Sequence, residues 1–142
     1  MSNLENKLQK IVNTFNNIDK NLAYEDIKKL STKYHKNINV LNVLSQIAQK
    51  MGDVDTTINS LKKILLLDKS NIECISKIYK LLLTKSLLDE ALANINLILR
   101  IDKDHYEAIR DKAYIYFLKN NFDKAKKYLS LIHISEPTRR TI

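Results

Sequence analysis

Apolar residues recur at i, i+3, i+4 and i+7 along most of the chain, the spacing that gives an α-helix one buried face. Polar corners interrupt the pattern at Gly52-Asp53, Lys85-Ser86 and Asn120-Asn121. Others fall at Asp68-Lys69-Ser70-Asn71 and Asp102-Lys103-Asp104-His105. Together they predict helices over 39–51, 54–67, 72–85, 88–100, 105–119 and 122–128. Asp53, Ser86 and Asn121 stand where the second helix of each pair needs an N-cap.

The pattern repeats every 34 residues. Setting Ile38, Ile72 and Tyr106 in register, 34 apart, aligns Leu41, Ile75 and Ile109. Ala48, Leu82 and Tyr116 then align, as do Val54, Leu88 and Phe122, and Leu61, Ile95 and Leu129. Leu65-Leu66-Leu67-Asp68-Lys69 falls on Leu99-Arg100-Ile101-Asp102-Lys103. Small residues recur inside the unit: Ala91 and Ala125, with Thr57 in the first copy, then Ser45 and Ala113, and Gly52 at the corner.

On these residues the chain resembles the tetratricopeptide repeat (TPR) family, whose units are 34-residue helix–turn–helix pairs. The resemblance covers 38–128, as units 38–71, 72–105 and a truncated 106–128. It implies an all-α fold, an α-solenoid of antiparallel helix pairs wound as a TPR-like superhelix. A small side chain lets two helix backbones approach while large ones interlock around it. The chain departs from the family at Tyr79, which takes a small-residue position, and at Ile64 and Ile98, which take a second one. Lys69 and Lys103 replace the closing Pro, and Lys112 replaces an apolar residue.

Residues 1–37 read as a degenerate or capping helix pair. Leu8, Ile11, Phe15 and Ile18 resemble a first helix and Leu22–Leu30 a second, provided the loop between them is one residue short. A second reading of Leu4, Leu8, Ile11, Phe15, Ile18 and Leu22 is a short heptad seam. At the other end, residues 129–139 resemble the translation of a transposase end joined to a sequencing-library adapter. Residues 129–142 hold the chain's one Pro and half its Arg, and no Lys or Asn. We expect 129–142 to be a non-native read-through tail and the natural sequence to be a fragment cut near 128. Pro137, on the closing-Pro position of the third unit, is the feature that fits a native tail.

Composition narrows the chemistry. One Gly and one Pro in 142 residues exclude a turn-rich β-sandwich and a Gly-rich phosphate loop. Cys74 is the single cysteine, which excludes a disulfide framework and a cysteine-based zinc site. His35, His105 and His133 are far apart, and no His or Cys pair has metal-ligand spacing. Asp89-Glu90 lie in a first helical turn, where they complement the macrodipole. We therefore expect no catalytic residue, no metal and no cofactor: the chain is read as not an enzyme. The net charge of +8 comes from 20 Lys and only 4 Arg, and the lysines are spread along the chain. With the phosphate-gripping Arg fork nearly absent, this argues against a nucleic-acid partner. No apolar run is long enough to span a membrane and the N-terminus lacks a signal core, so the expected location is cytoplasmic.

The resemblance also implies a groove lined by the first helix of each pair. Carried over residue by residue, its positions are Asn39, Asn42 and Gln46, then Lys77 and Lys80, then Arg110, Tyr114 and Phe117. The bases could meet acidic groups, the amides a peptide backbone, and the aromatic rings could anchor a side chain. The family's clamp for a C-terminal carboxylate is not matched, because Glu107 and Asp111 stand where it needs bases. The expected function is a non-catalytic scaffold that holds a protein or peptide in this groove. The alternative is a regulatory or targeting segment of a larger enzyme, such as a glycosyltransferase or kinase.

Overall fold

The computed structural model describes residues 2–135, with side chains to residue 132. Among these residues the elements are α1 (Asn3–Asn17), α2 (Lys20–Lys33), α3 (Ile38–Lys50), α4 (Val54–Leu67), α5 (Ile72–Thr84), α6 (Leu88–Ile101), α7 (Tyr106–Leu118) and α8 (Phe122–Ser135), with no strand. Consecutive helices pack as pairs, α1 on α2, α3 on α4, α5 on α6 and α7 on α8. The short connections make each pair antiparallel. The helices fall into two compact units, α1–α4 and α5–α8, which divide between Lys69 and Ser70. In the first unit α3 also packs on α1 and α2; in the second α7 packs on α6. The helix ends lie within one residue of the expected ones from 38 to 122. Helix α8 runs on to Ser135, into the stretch expected to be foreign. Pro137, Arg139 and Arg140 lie outside the described residues.

One turn closes the first helix of three pairs. Gly52, Ser86 and Asn120 all have positive φ, at 77°, 59° and 60°. In each case the following N–H bonds back across the turn: Asp53 to the Ala48 carbonyl, Leu87 to that of Leu82, and Asn121 to that of Tyr116, at 2.9, 3.0 and 2.8 Å. This is the Schellman motif, which stops a helix at a left-handed residue. Its recurrence at 52, 86 and 120 is the 34-residue repeat written in backbone geometry.

The turn also corrects one sequence expectation. Ser86 is not the N-cap of α6; it is spent as the left-handed residue, and Leu87 occupies the cap with no side-chain bond. The equivalent Asp53 accepts from the Thr56 N–H at 3.1 Å, and Asn121 from that of Lys124 at 3.3 Å. Asp89 and Glu90 in the first turn of α6 partly offset the missing cap. Two substitutions in this one loop should therefore stabilise the fold. Ser86→Gly removes a left-handed penalty of about 1 kcal/mol, and Leu87→Asn adds a cap worth about 1 kcal/mol. Urea denaturation should show both midpoints rising. The first helices are capped more uniformly: Asn37, Asn71 and His105, 34 apart, each accept the N–H three residues on.

The small positions are where the helices meet. Ala23, Ala91 and Ala125 and the hydroxyl-bearing Thr57 are all buried, as are Ser45 and Ala113. Ile64 and Ile98 are buried as well, so the large residues at small-residue positions are accommodated inside the core. Lys112 keeps its ammonium out of apolar surroundings. It donates to Asn96 Oδ1 at 2.8 Å and sits 4.5 Å from the centre of the Tyr128 ring.

The N-terminal pair follows a different local plan. Two residues, Ile18 and Asp19, join α1 to α2, against three in the later pairs. Leu8, Ile11 and Phe15 are buried, while Ile18 is 72% exposed and Leu22 50%. The heptad positions thus stop pointing one way at Phe15, because the helix carrying them ends at Asn17.

Candidate peptide-binding faces

All eight groove residues expected from sequence are exposed: Asn39, Asn42 and Gln46 on α3, Lys77 and Lys80 on α5, and Arg110, Tyr114 and Phe117 on α7. The first three belong to the first unit and the other five to the second.

In the first unit an open cleft of about 460 Å³ lies along α1, and Val43 is the one residue of α3 in its lining. Val12, Asn13 and Asn16 of α1 and Val43 of α3 line it. The Asn17 side-chain amide donates to Asn13 Oδ1 at 2.7 Å. Sequence reasoning misses the α1 residues because it treats α1 as a cap, although the match of α1 to a first helix is the available signal. The cleft offers amide donors and acceptors around two valines, a surface suited to an extended backbone.

In the second unit each charged groove residue pairs with a nearby carboxylate. Lys77 Nζ lies 3.3 Å from Glu73 one turn earlier. Lys80 reaches across from α5 to Glu107 on α7 at 2.5 Å. Arg110 Nε lies 3.3 Å from Asp111, and Asp111 also accepts from the Tyr79 hydroxyl. The bases expected to meet an acidic ligand therefore already have carboxylate partners. The acids that break the clamp pattern, Glu107 and Asp111, are among those partners. The hydrogen bond from Lys80 holds the Glu107 carboxyl below the ordinary carboxylate range. In the first unit, the Tyr24 hydroxyl, 2.5 Å away, and the Thr56 N–H do the same for Asp53. Both carboxyls are thus more acidic folded than unfolded. Their stabilisation is complete at neutral pH and is lost as the pH falls through the carboxylate range.

Tyr79 turns its small-residue position into an anchor. Its ring is fully buried. Burial first, and then the Asp111 hydrogen bond and charge, push its hydroxyl well above the usual phenol range. The group stays a donor at any physiological pH.

Two of the three groove residues on α7 are aromatic. Tyr114 and Phe117 lie three residues apart on one helix face and are 53% and 56% exposed. Phe122, at the start of α8, meets the Phe117 ring edge-on at 5.7 Å. Among the described residues no three His, Cys, Asp or Glu side chains gather as metal ligands. No helix there is long and apolar enough to cross a membrane.

No protein-family profile matches the chain, and no curated protein matches it. Solved structures do. MamA is similar over 99% of this chain and 82% of its own, with a TM-score of 0.79 and 17% identity. A tetratricopeptide repeat protein from Parabacteroides merdae ATCC 43184 gives a TM-score of 0.78 at 20% identity, covering 94% of this chain and 54% of that one. YrrB, described as a TPR protein with an unusual peptide-binding site, gives 0.69 at 20% identity, over 84% of this chain and 61% of its own. At these identities the likeness is one of fold.

Proposed function

This chain has the tetratricopeptide-repeat fold, an all-α solenoid architecture, and from that premise we propose that it is a non-catalytic scaffold that binds a protein partner through a peptide segment. The observation that carries the reading is the pair Tyr114 and Phe117, two large rings more than half exposed on one face of α7. Exposed aromatic rings on a rigid helix are the residues from which interface hot spots are made. Lys77, Lys80 and Arg110 set the rim, and their charges are balanced locally by Glu73, Glu107 and Asp111. The second unit therefore selects for apolar side chains more than for acids. The amides Asn39, Asn42 and Gln46 would bind the main chain of the same or another segment. The peptide-binding site of YrrB, a neighbour in fold, supports the class of ligand.

Selection of a displayed random-peptide library on the immobilised full chain tests this. Enriched peptides should share apolar residues. Tyr114→Ala combined with Phe117→Ala should weaken them by about tenfold or more, with the helical circular-dichroism spectrum unchanged. Equal binding by the double variant would remove α7 from the site.

A further inference from the structure

We propose that the cleft between α1 and α2 is a second docking site, for an acidic peptide segment that inserts an apolar side chain between two rows of lysines. The cleft has a volume of about 380 Å³ and is lined by α1 and α2 alone. Lys7 and Lys10 rise on the α1 side, Lys29 and Lys33 on the α2 side, and Ile11 and Leu30 form the floor. The lysines are exposed, whereas Ile11 is buried and Leu30 half-buried. The α1 bases and the α2 bases are far apart in sequence and meet only because the pair folds antiparallel.

Charge complementarity identifies the occupant. Elsewhere in the chain Lys28, Lys77, Lys80 and Lys119 each have a carboxylate within reach. Among the described residues no ion pair involves Lys7, Lys10, Lys29 or Lys33. Asp26 is the one acid in the lining, so the cleft keeps a positive surplus. Such a surplus over a low-dielectric floor attracts carboxylates and raises the rate at which they arrive. The cleft has no Arg and no aromatic ring in its lining, which leaves nucleotide bases nothing to stack on. Its apolar residues are recessed, so they cannot project into a lipid surface but can receive a side chain that projects from a peptide. The site shares no residue with the α3, α5 and α7 faces, and its occupation does not depend on theirs.

The test uses the full chain and fluorescein-labelled peptides. One probe is built from Glu and Leu, the other from Glu and Ser at the same length and charge. Anisotropy at about 50 mM salt should show the Glu/Leu peptide binding about tenfold or more tightly than the Glu/Ser peptide. Its affinity should fall as salt rises to about 300 mM. Lys7→Glu with Lys10→Glu and Lys29→Glu should weaken it by about tenfold or more. Lys62→Glu with Lys103→Glu and Lys126→Glu makes the same charge change elsewhere and should change it by less than about twofold. Tyr114→Ala with Phe117→Ala should leave it unchanged, which separates this site from the one on α7. Should the triple variant lose its helical spectrum, Lys10→Gln with Lys29→Gln carries the same comparison.

No binding of the Glu/Leu peptide, equal loss in the two triple variants, or equal affinity for both peptides would overturn the proposal. So would tighter binding, through the same lysines, of a single-stranded RNA or of phosphatidylserine vesicles. A concentration-dependent dimer abolished by the cleft variant would make a second copy of the chain the occupant instead, and would likewise overturn it.

Discussion

Tyr79→Ala is expected to lower stability by about 3–5 kcal/mol, the range for emptying a buried aromatic site. Tyr79 has no exposed surface, and it stands where a small residue is usual, so the helices around it have been set by its ring. They cannot close the space without moving one another. Tyr79→Phe separates the ring from the hydroxyl. It keeps the volume but strips Asp111 of its phenolic donor. The side chain of Asp111 is only 15% exposed, with Arg110 Nε 3.3 Å away as its remaining partner. The expected loss is about 1.5–3 kcal/mol, that of a hydrogen bond to a charged group. Urea denaturation of the two variants measures both parts. A Phe variant as stable as the parent would mean that the Tyr79–Asp111 bond contributes nothing net.

Ala91→Leu should cost about 1–3 kcal/mol for the opposite reason, overfilling. Ala91 is fully buried in the α5–α6 pair, and no surface of it is left from which extra carbons could escape. Ala93 is the internal control, an exposed alanine on the same helix. Ala93→Leu should shift stability by no more than about 0.5 kcal/mol. Equal denaturation midpoints for the two leucine variants would break the repeat register on which every aligned position depends.

The register is legible in the sequence because two signals coincide at the same period. The apolar 3.6-residue pattern gives the helices, and Ala91 and Ala125 repeat 34 apart at positions the fold buries. The turns are half legible. Polar residues mark where the helices stop, but composition does not say which residue takes the left-handed backbone. At the second corner Ser86 looks like a cap and Leu87 does not, yet the 34-residue alignment with Gly52 fixes Ser86 in the turn. The candidate binding face is legible as a set of exposed positions and illegible as electrostatics. Lys80 and Glu107 lie 27 residues apart and Tyr79 and Asp111 lie 32 apart, so their pairing appears only when α5 and α7 lie side by side. The lysines of the α1–α2 cleft are hidden the same way. Along the sequence they look like an evenly spread charge, because the pairing of the two helices is legible there but not which of their lysines line one cleft.

The two tyrosine–aspartate bonds have an optical consequence. The chain has no tryptophan and seven tyrosines, so its intrinsic fluorescence is tyrosine emission. A phenol hydrogen-bonded to a carboxylate emits weakly, because the excited phenol passes its proton to the acceptor. Tyr24, bonded to Asp53, darkens one ring in the first unit, and Tyr79, bonded to Asp111, darkens one in the second. Each unit thus carries its own quenched reporter, which brightens when that unit opens. Repeat arrays can lose their all-or-none cooperativity, and comparing the tyrosine emission of the parent chain with that of Tyr24→Phe and Tyr79→Phe variants would show which unit opens first without an added dye.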